Sequence, residues 1–153
     1  MKYIQDINLA LREFSLGNKE FAYKKLKKIF NKNQEDDQLR FNLAVIAQST
    51  NRNLEAKENY KFLINKNNNQ KAMKNLYALY IEESNYNDAL KITDKLYEIV
   101  KSFDGSFSAE HGIGQLRKKS LMLHKDPVAY SLMKTIKKQF DPNNIMNPEK
   151  IFV

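Results

Sequence analysis

The sequence contains no cysteine and no tryptophan, only two histidines, three prolines and four glycines in 153 residues. Without cysteine there is no disulfide framework, no thiolate zinc site and no cysteine nucleophile, a composition compatible with a reducing cytosol. Four glycines are too few for a separate nucleotide-binding domain with its own phosphate loops, and the length allows one compact domain or two very small ones. Arginine is scarce as well: Arg12, Arg40, Arg52 and Arg117 are the only four among 26 basic residues. The formal charge of +8 invites a nucleic-acid reading, but the excess is spread along the chain, 17 basic against 12 acidic over residues 1–96 and 9 against 6 over residues 97–153. Base edges and phosphates favour guanidinium forks over ammonium groups. The densest cluster, Lys24, Lys25, Lys27 and Lys28, therefore reads as a solvated helix face. No apolar run approaches the ~18 residues of a membrane span, and the first sixteen residues are amphipathic instead of signal-like. The expectation is a cytoplasmic protein with no membrane span and no nucleic-acid partner.

What the sequence does contain, over its first two thirds, is a repeat. Ala22 and Ala56 lie 34 residues apart and Ala89 follows 33 later; the same offsets connect Leu9, Leu43 and Leu76, then Leu26, Tyr60 and Thr93, then Ile29, Leu63 and Leu96. Turn-forming residues divide each unit: Gly17-Asn18, Asn51-Arg52-Asn53 and Ser84-Asn85. Apolar residues fall at helical steps on both sides, as in Ile4, Ile7, Leu11 and Phe14, in Phe21, Ala22, Leu26, Ile29 and Phe30, or in Leu54, Ala56, Tyr60, Leu63 and Ile64. Each unit is a pair of helices that cannot bury its own stripe, so stacked neighbours must supply the partner surface. The spacing predicts three hairpins over residues 3–35, 36–68 and 69–100, with Asn65 to Asn69 as a connection.

The matches Leu9-Ala10, Gly17, Ala22 and Leu26, then Leu43-Ala44, Ala56 and Tyr60, then Leu76, Tyr80 and Ala89, resemble the tetratricopeptide repeat family. The chain departs from the family at Tyr77 and Thr93, and by lacking tryptophan near each unit's start and proline at unit ends. The resemblance implies a scaffold that binds a protein or peptide along the face lined by first helices. In that register Asn8, Asn42 and Asn75 recur on the groove side, and an amide offers both a donor and an acceptor to an extended peptide. Of the family's basic clamp positions only Lys74 is filled, because Ile7 and Phe41 occupy the equivalents.

Beyond Tyr97 the pattern changes. Gly105, Gly112 and Gly114 are three of the four glycines, and Pro127, Pro142 and Pro148 are all the prolines. Glu110-His111 stands directly before Gly112-Ile113-Gly114; a carboxylate and an imidazole so placed can transfer protons or ligate a metal, and the following segment from Gln115 can start a helix whose N-terminus favours anions. Asp126-Pro127 is a helix start, followed by an apolar stripe of Leu132, Met133, Ile136 and Phe140 that ends at Asp141-Pro142. That helix is placed to cover the end of the repeat stack. The fold class expected is mainly α: a solenoid of three hairpins, a glycine loop and two C-terminal helices, with at most a short extended piece near Gly105 to Ser108.

The series Gly105-Ser106-Phe107-Ser108-Ala109-Glu110-His111-Gly112-Ile113-Gly114, Leu132-Met133, Ile136-Lys137, Phe140-Asp141-Pro142 and Ile145-Met146-Asn147-Pro148 with Lys150 resembles the C-terminal end of the type 4 FAD-linked oxidases. That family includes glycolate oxidase, D-lactate dehydrogenase and D-2-hydroxyglutarate dehydrogenase. The resemblance covers about residues 90–153. It implies FAD and a divalent metal as cofactors, Glu110 as a metal ligand, His111 as the base that takes the substrate hydroxyl proton, and Gly112, Gly114 and Asn147 as residues near the cofactor. Glu149 stands where the family usually has glycine, and Ala109 replaces another usual glycine. The family's upstream metal histidines and its FAD domain are missing, and the remaining histidine, His124, reads as a surface or packing residue. The implied partner is a flavoprotein core subunit that would complete the site.

Overall fold

The computed structural model describes residues 2–106, 112–115 and 117–152, with the side chain of Lys2 left aside. Among these residues the secondary structure is helical throughout, with no strand: α1 Lys2–Ser15, α2 Lys19–Phe30, α3 Asp37–Ser49, α4 Asn53–Asn67, α5 Gln70–Glu82, α6 Tyr86–Ser102, α7 Lys118–His124 and α8 Pro127–Phe140. The chain divides into two units, residues 1–92 and 93–153, so the boundary falls inside α6. None of these helices is long and apolar enough to cross a membrane.

In the first unit α1 packs on α2, α2 on α3, α3 on α4 and α4 on α5. The repeat read from side chains is written in the backbone too. Each first helix ends by donating two amides backward in the same pattern. Gly17 donates to Phe14 and Asn18 to Glu13; Asn51 donates to Gln48 and Arg52 to Ala47; Ser84 donates to Ile81 and Asn85 to Tyr80. The three residues that turn the chain have φ of 89°, 60° and 57°. This is the Schellman arrangement, in which one left-handed residue lets the last carbonyls of a helix find donors. Only Gly17 meets that angle with no Cβ to strain it.

The core forms where small residues let helices approach. Ala10, Ala22 and Leu26 of the first hairpin share one buried cluster with Leu39, Leu43 and Ile46 of α3, closed by Phe30. Ala44, Ala56 and Tyr60 are buried likewise in the second hairpin. Tyr77 occupies the register of Ala10 and Ala44 but remains exposed, and Ile4, Phe21 and Leu54, counted in the helical stripes, also face solvent.

Polar contacts fix the hairpins in register. The Tyr3 hydroxyl donates to Asp36 and the Tyr23 hydroxyl to Glu55, both at 2.6 Å. Arg52 reaches both carboxylate oxygens of Glu20 at 2.8 and 3.0 Å and lies 4.0 Å from the Tyr23 ring centroid. The Arg40 guanidinium sits over Phe62 at 3.7 Å and Phe30 at 4.7 Å, donating to Asn59 and to the Gln34 carbonyl. Within the lysine cluster, Lys25 pairs with Asp6 and Lys27 with Glu55, so two of its four cations are already engaged.

Candidate functional site

The groove residues of the first unit are not equivalent. Asn8 and Lys74 are exposed, and Asn42 is half-buried, accepting from the Gln38 amide at 3.1 Å. Asn75 donates to the Tyr60 hydroxyl at 3.2 Å, and that hydroxyl donates to Gln48 at 3.0 Å. Burial raises the Tyr60 phenol, keeping it neutral. The third amide of the ladder therefore links α4 to α5, whereas the Asn42 side chain accepts within its own helix.

In the second unit α6 ends as the hairpins do. Asp104 turns with φ of 54°, donating to Lys101, and Gly105 donates to Val100 at 2.9 Å. A Cβ on Gly105 would lie 2.9 Å from the Val100 side chain and 3.1 Å from its carbonyl oxygen, so glycine is required for this close return. The loop then runs to Glu110 and His111, the expected metal ligand and base, which lie outside the described residues together with Phe107, Ser108 and Ala109. Gly112 and Gly114 follow; a Cβ at either would meet nothing within 4 Å, although Gly114 has φ of 52°. At Gly112 neither packing against the described residues nor a positive φ calls for glycine.

Helix α7 begins at Lys118, three residues after the expected Gln115, and is only seven residues long with no side-chain cap. His124 ends it with an edge-on contact to Tyr97 at 5.3 Å between ring centroids and its Nε2 3.9 Å from Asp94. These are packing contacts. The Asp126 side chain accepts from the Ala129 amide at 2.9 Å and Pro127 opens α8, as the Asp-Pro pair predicts.

The C-terminal turn is organised by Asp141, which the sequence reading used as a helix stop and as one residue of the oxidase series. Asp141 is buried, and its carboxylate accepts from the amides of Ile145 at 2.8 Å and Met146 at 2.9 Å and from the Lys137 ammonium. Lys137 also donates to the Met146 carbonyl at 2.7 Å. These bonds, Lys137 first, hold the Asp141 carboxyl below the usual range. The signal in the sequence is an Asp-Pro helix end with a lysine four residues before it and an Asn-Asn turn after it. Between α8 and this turn lies an open groove of about 550 Å³ whose lining includes Lys134, Lys138, Phe140, Asn147, Lys150 and Phe152. Phe152 is pinned there, edge-on to Tyr130 at 5.7 Å. Cations and an amide are suitable donors for an anionic group such as a cofactor phosphate. Among the described residues, which leave out Glu110 and His111, no three His, Cys, Asp or Glu side chains come together.

Glu149, standing where glycine is usual, has φ of 58°. A left-handed non-glycine residue carries strain of about 1 kcal/mol. Glu149→Gly should relieve most of it, seen as stronger hydrogen-exchange protection of the Lys150 amide, which donates to the Asn147 carbonyl. Unchanged or weaker protection would show that the turn is held without strain.

Residues 73–151 match the family model described as FAD linked oxidases, C-terminal domain. The match starts in α5, earlier than residue 90, where the motifs begin to be recognisable. Over 57 residues the chain is 46% identical to the D-2-hydroxyglutarate dehydrogenase of Stutzerimonas stutzeri, a stretch that is 37% of this chain and 12% of that protein. Over 75 residues it is 40% identical to the mitochondrial D-2-hydroxyglutarate dehydrogenase of Arabidopsis thaliana, 48% of this chain and 13% of that one. Over 55 residues it is 46% identical to the D-2-hydroxyglutarate–pyruvate transhydrogenase of Saccharomyces cerevisiae, 36% and 11%. The chain thus spans about one eighth of the length of these curated relatives. With the glycine loop, the capped α8 and the Asp141 turn all falling inside a match that takes in more than half of its length, the chain belongs to the family of FAD linked oxidases, C-terminal domain.

Proposed function

We propose that this chain is a helical-repeat scaffold carrying the closing segment of an FAD-linked 2-hydroxy-acid oxidoreductase, and that it does not turn over such acids alone. The observation that supports this reading is coverage: the aligned stretch is 11 to 13% of the relatives' length. The rest of those proteins lies outside the alignment, and the residues of this chain before the family match form helices α1 to α4 and the start of α5. In the family's reaction FAD accepts a hydride from the carbon bearing the hydroxyl. Gly112, Gly114 and Asn147 are the residues of this chain that would approach it, and Lys138 and Lys150 are suited to its anionic part. Glu110 would ligate a divalent metal and His111 would take the hydroxyl proton, but one carboxylate and one imidazole hold a metal weakly.

The decisive measurement is the visible spectrum of the purified chain with and without added FAD and divalent metal, followed by dye-coupled turnover of D-lactate, glycolate and D-2-hydroxyglutarate. We expect no flavin retained through gel filtration and no turnover. One flavin per chain, with turnover abolished in Glu110→Ala and His111→Ala, would overturn the proposal.

A second reading, that the segment completes an oxidase core supplied by another chain, is favoured by the exposed apolar face of α8. The first unit has its own reading as a peptide-binding surface through Asn8 and Asn42. Loss of partner capture in Asn42→Ala is its test, since Asn75 also serves the contact to Tyr60.

A further inference from the structure

We infer that Gln48 and Asn75, oriented by the Tyr60 hydroxyl between them, form a site that reads the backbone of an extended acidic peptide. This rests on the peptide-surface reading of the first unit and gives it a different pair of residues. The three side chains come from α3, α4 and α5. The Tyr60 hydroxyl donates to Gln48 Oε1 at 3.0 Å and accepts from Asn75 Nδ2 at 3.2 Å. Tyr60 is fully buried, with Phe41 tilted against its ring at 6.1 Å between centroids, so the hydroxyl is a fixed point. It turns the two carboxamides opposite ways. Gln48 is bound by its oxygen and presents its NH2, whereas Asn75 is bound by its nitrogen and presents its oxygen. Among the described residues no protein group meets Gln48 Nε2 or Asn75 Oδ1, and neither atom is sealed from water.

One donor and one acceptor are thus held at the junction of three helices. In an extended chain the N–H and C=O of one residue face the same side, which is how paired strands exchange two bonds at a single residue. Such a residue is the complement of this pair: its C=O accepts from Gln48 and its N–H donates to Asn75. Side chains already held in place lose less freedom on binding. The neighbours leave room for a main chain. Phe41 and Val45 precede Gln48 on the same face of α3 and are half-buried, an apolar wall, while Ala78, one turn after Asn75, is exposed and small. Charge sets the kind of peptide. Lys71 and Lys74 are exposed and make no hydrogen bond or ion pair among the described residues, and Glu82 stands two turns beyond Asn75. An acidic residue on the Lys71 side of the bound residue is attracted there, and a basic one is repelled.

The test selects random dodecapeptides displayed on phage against the full chain, then measures the enriched peptides, synthesised, by fluorescence polarisation. We expect enriched sequences carrying Asp or Glu. Their affinity should fall about tenfold in Gln48→Met, in Tyr60→Phe, and on N-methylation of one backbone nitrogen of the peptide, and stay unchanged in the exposed control Gln5→Met. Tyr60→Phe leaves both carboxamides in place and removes what orients them, so its effect separates positioning from contact. If that variant proves unfolded by its urea midpoint, Gln48→Met and the methylated peptide decide the matter. Peptides bound equally well by Gln48→Met, or weakened only when their own Asn or Gln side chains are replaced, overturn the inference. Where such peptides are lost in Asn42→Ala, the wider peptide-surface reading stands without it. Absence of any enriched peptide overturns both.

Discussion

Leu43→Ala is expected to lower the stability of the repeat unit by about 3 kcal/mol, and Leu9→Ala by less than about 1 kcal/mol. The two leucines hold the same position in successive units, 34 residues apart. Leu43 is fully buried, in one cluster with Ala10, Ala22 and Leu26 of the preceding hairpin, whereas Leu9 is 41% exposed. Truncating Leu43 opens a cavity between two helix pairs whose backbones are held apart by the remaining contacts, so the loss exceeds simple transfer. Truncating Leu9 removes surface that water already reaches. Urea unfolding followed by circular dichroism measures both. Equal losses would mean that the hairpins do not stack as described.

Alkali should loosen the same unit over a defined window. Partial burial, with the hydrogen bond to a neighbouring carboxylate, pushes the phenols of Tyr3 and Tyr23 up to about 12. A phenol whose pKa is higher in the fold than in the unfolded chain contributes stability that is whole below pH 10 and is lost as pH rises through 12. Each contributes about 1 kcal/mol once solvent screening is allowed for. The partners act at the other end of the scale. Burial would raise Asp36 and Glu55, but bonds from Tyr3 and the Leu39 amide, and from Lys27 and Tyr23, outweigh it and hold both carboxyls below their usual values. Their contribution is present above pH 4.5 and is lost as pH falls through the lowered values. Urea midpoints measured from pH 8 to 12 should decline beyond pH 10 in the wild type, and less so in the double variant Tyr3→Phe, Tyr23→Phe. An identical decline in both would remove the two phenols as its cause.

The turns were legible because each needs a residue type that names itself. Gly17, the Asn51 group and Ser84-Asn85 mark the three hairpin bends, and Asp126-Pro127 marks the start of α8. Helical periodicity located the helices but not which part of each stripe is covered, since that depends on what lies opposite. Hence Ile4, Phe21 and Leu54 belong to the pattern and face water, and the stripe of α8 is intact in sequence and open in structure. The contacts that tie hairpins together, Tyr3 to Asp36 and Tyr23 to Glu55, join residues 33 and 32 positions apart. No local rule pairs such residues, because the stagger of one hairpin on the next decides which side chains meet. The expected site suffers the same limit: Glu110-His111 is conspicuous as a dipeptide, whereas Asp141 acquires its role only when the chain folds back onto the end of α8.

Helix α5 answers to two descriptions. It packs on α4 and keeps the repeat's spacing at Leu76, and it also holds the first residues of the oxidase match, from Met73. A gene join made here would need no spacer codons. An incoming helix that already presents apolar residues at the period of the stack is accepted as its next member, with the frame preserved in space as well as in the reading of the message. Recombination libraries that exchange the sequence before Asn69 for other arrays of the same period should therefore yield folded fusions more often than libraries joined within the loop after Gly105.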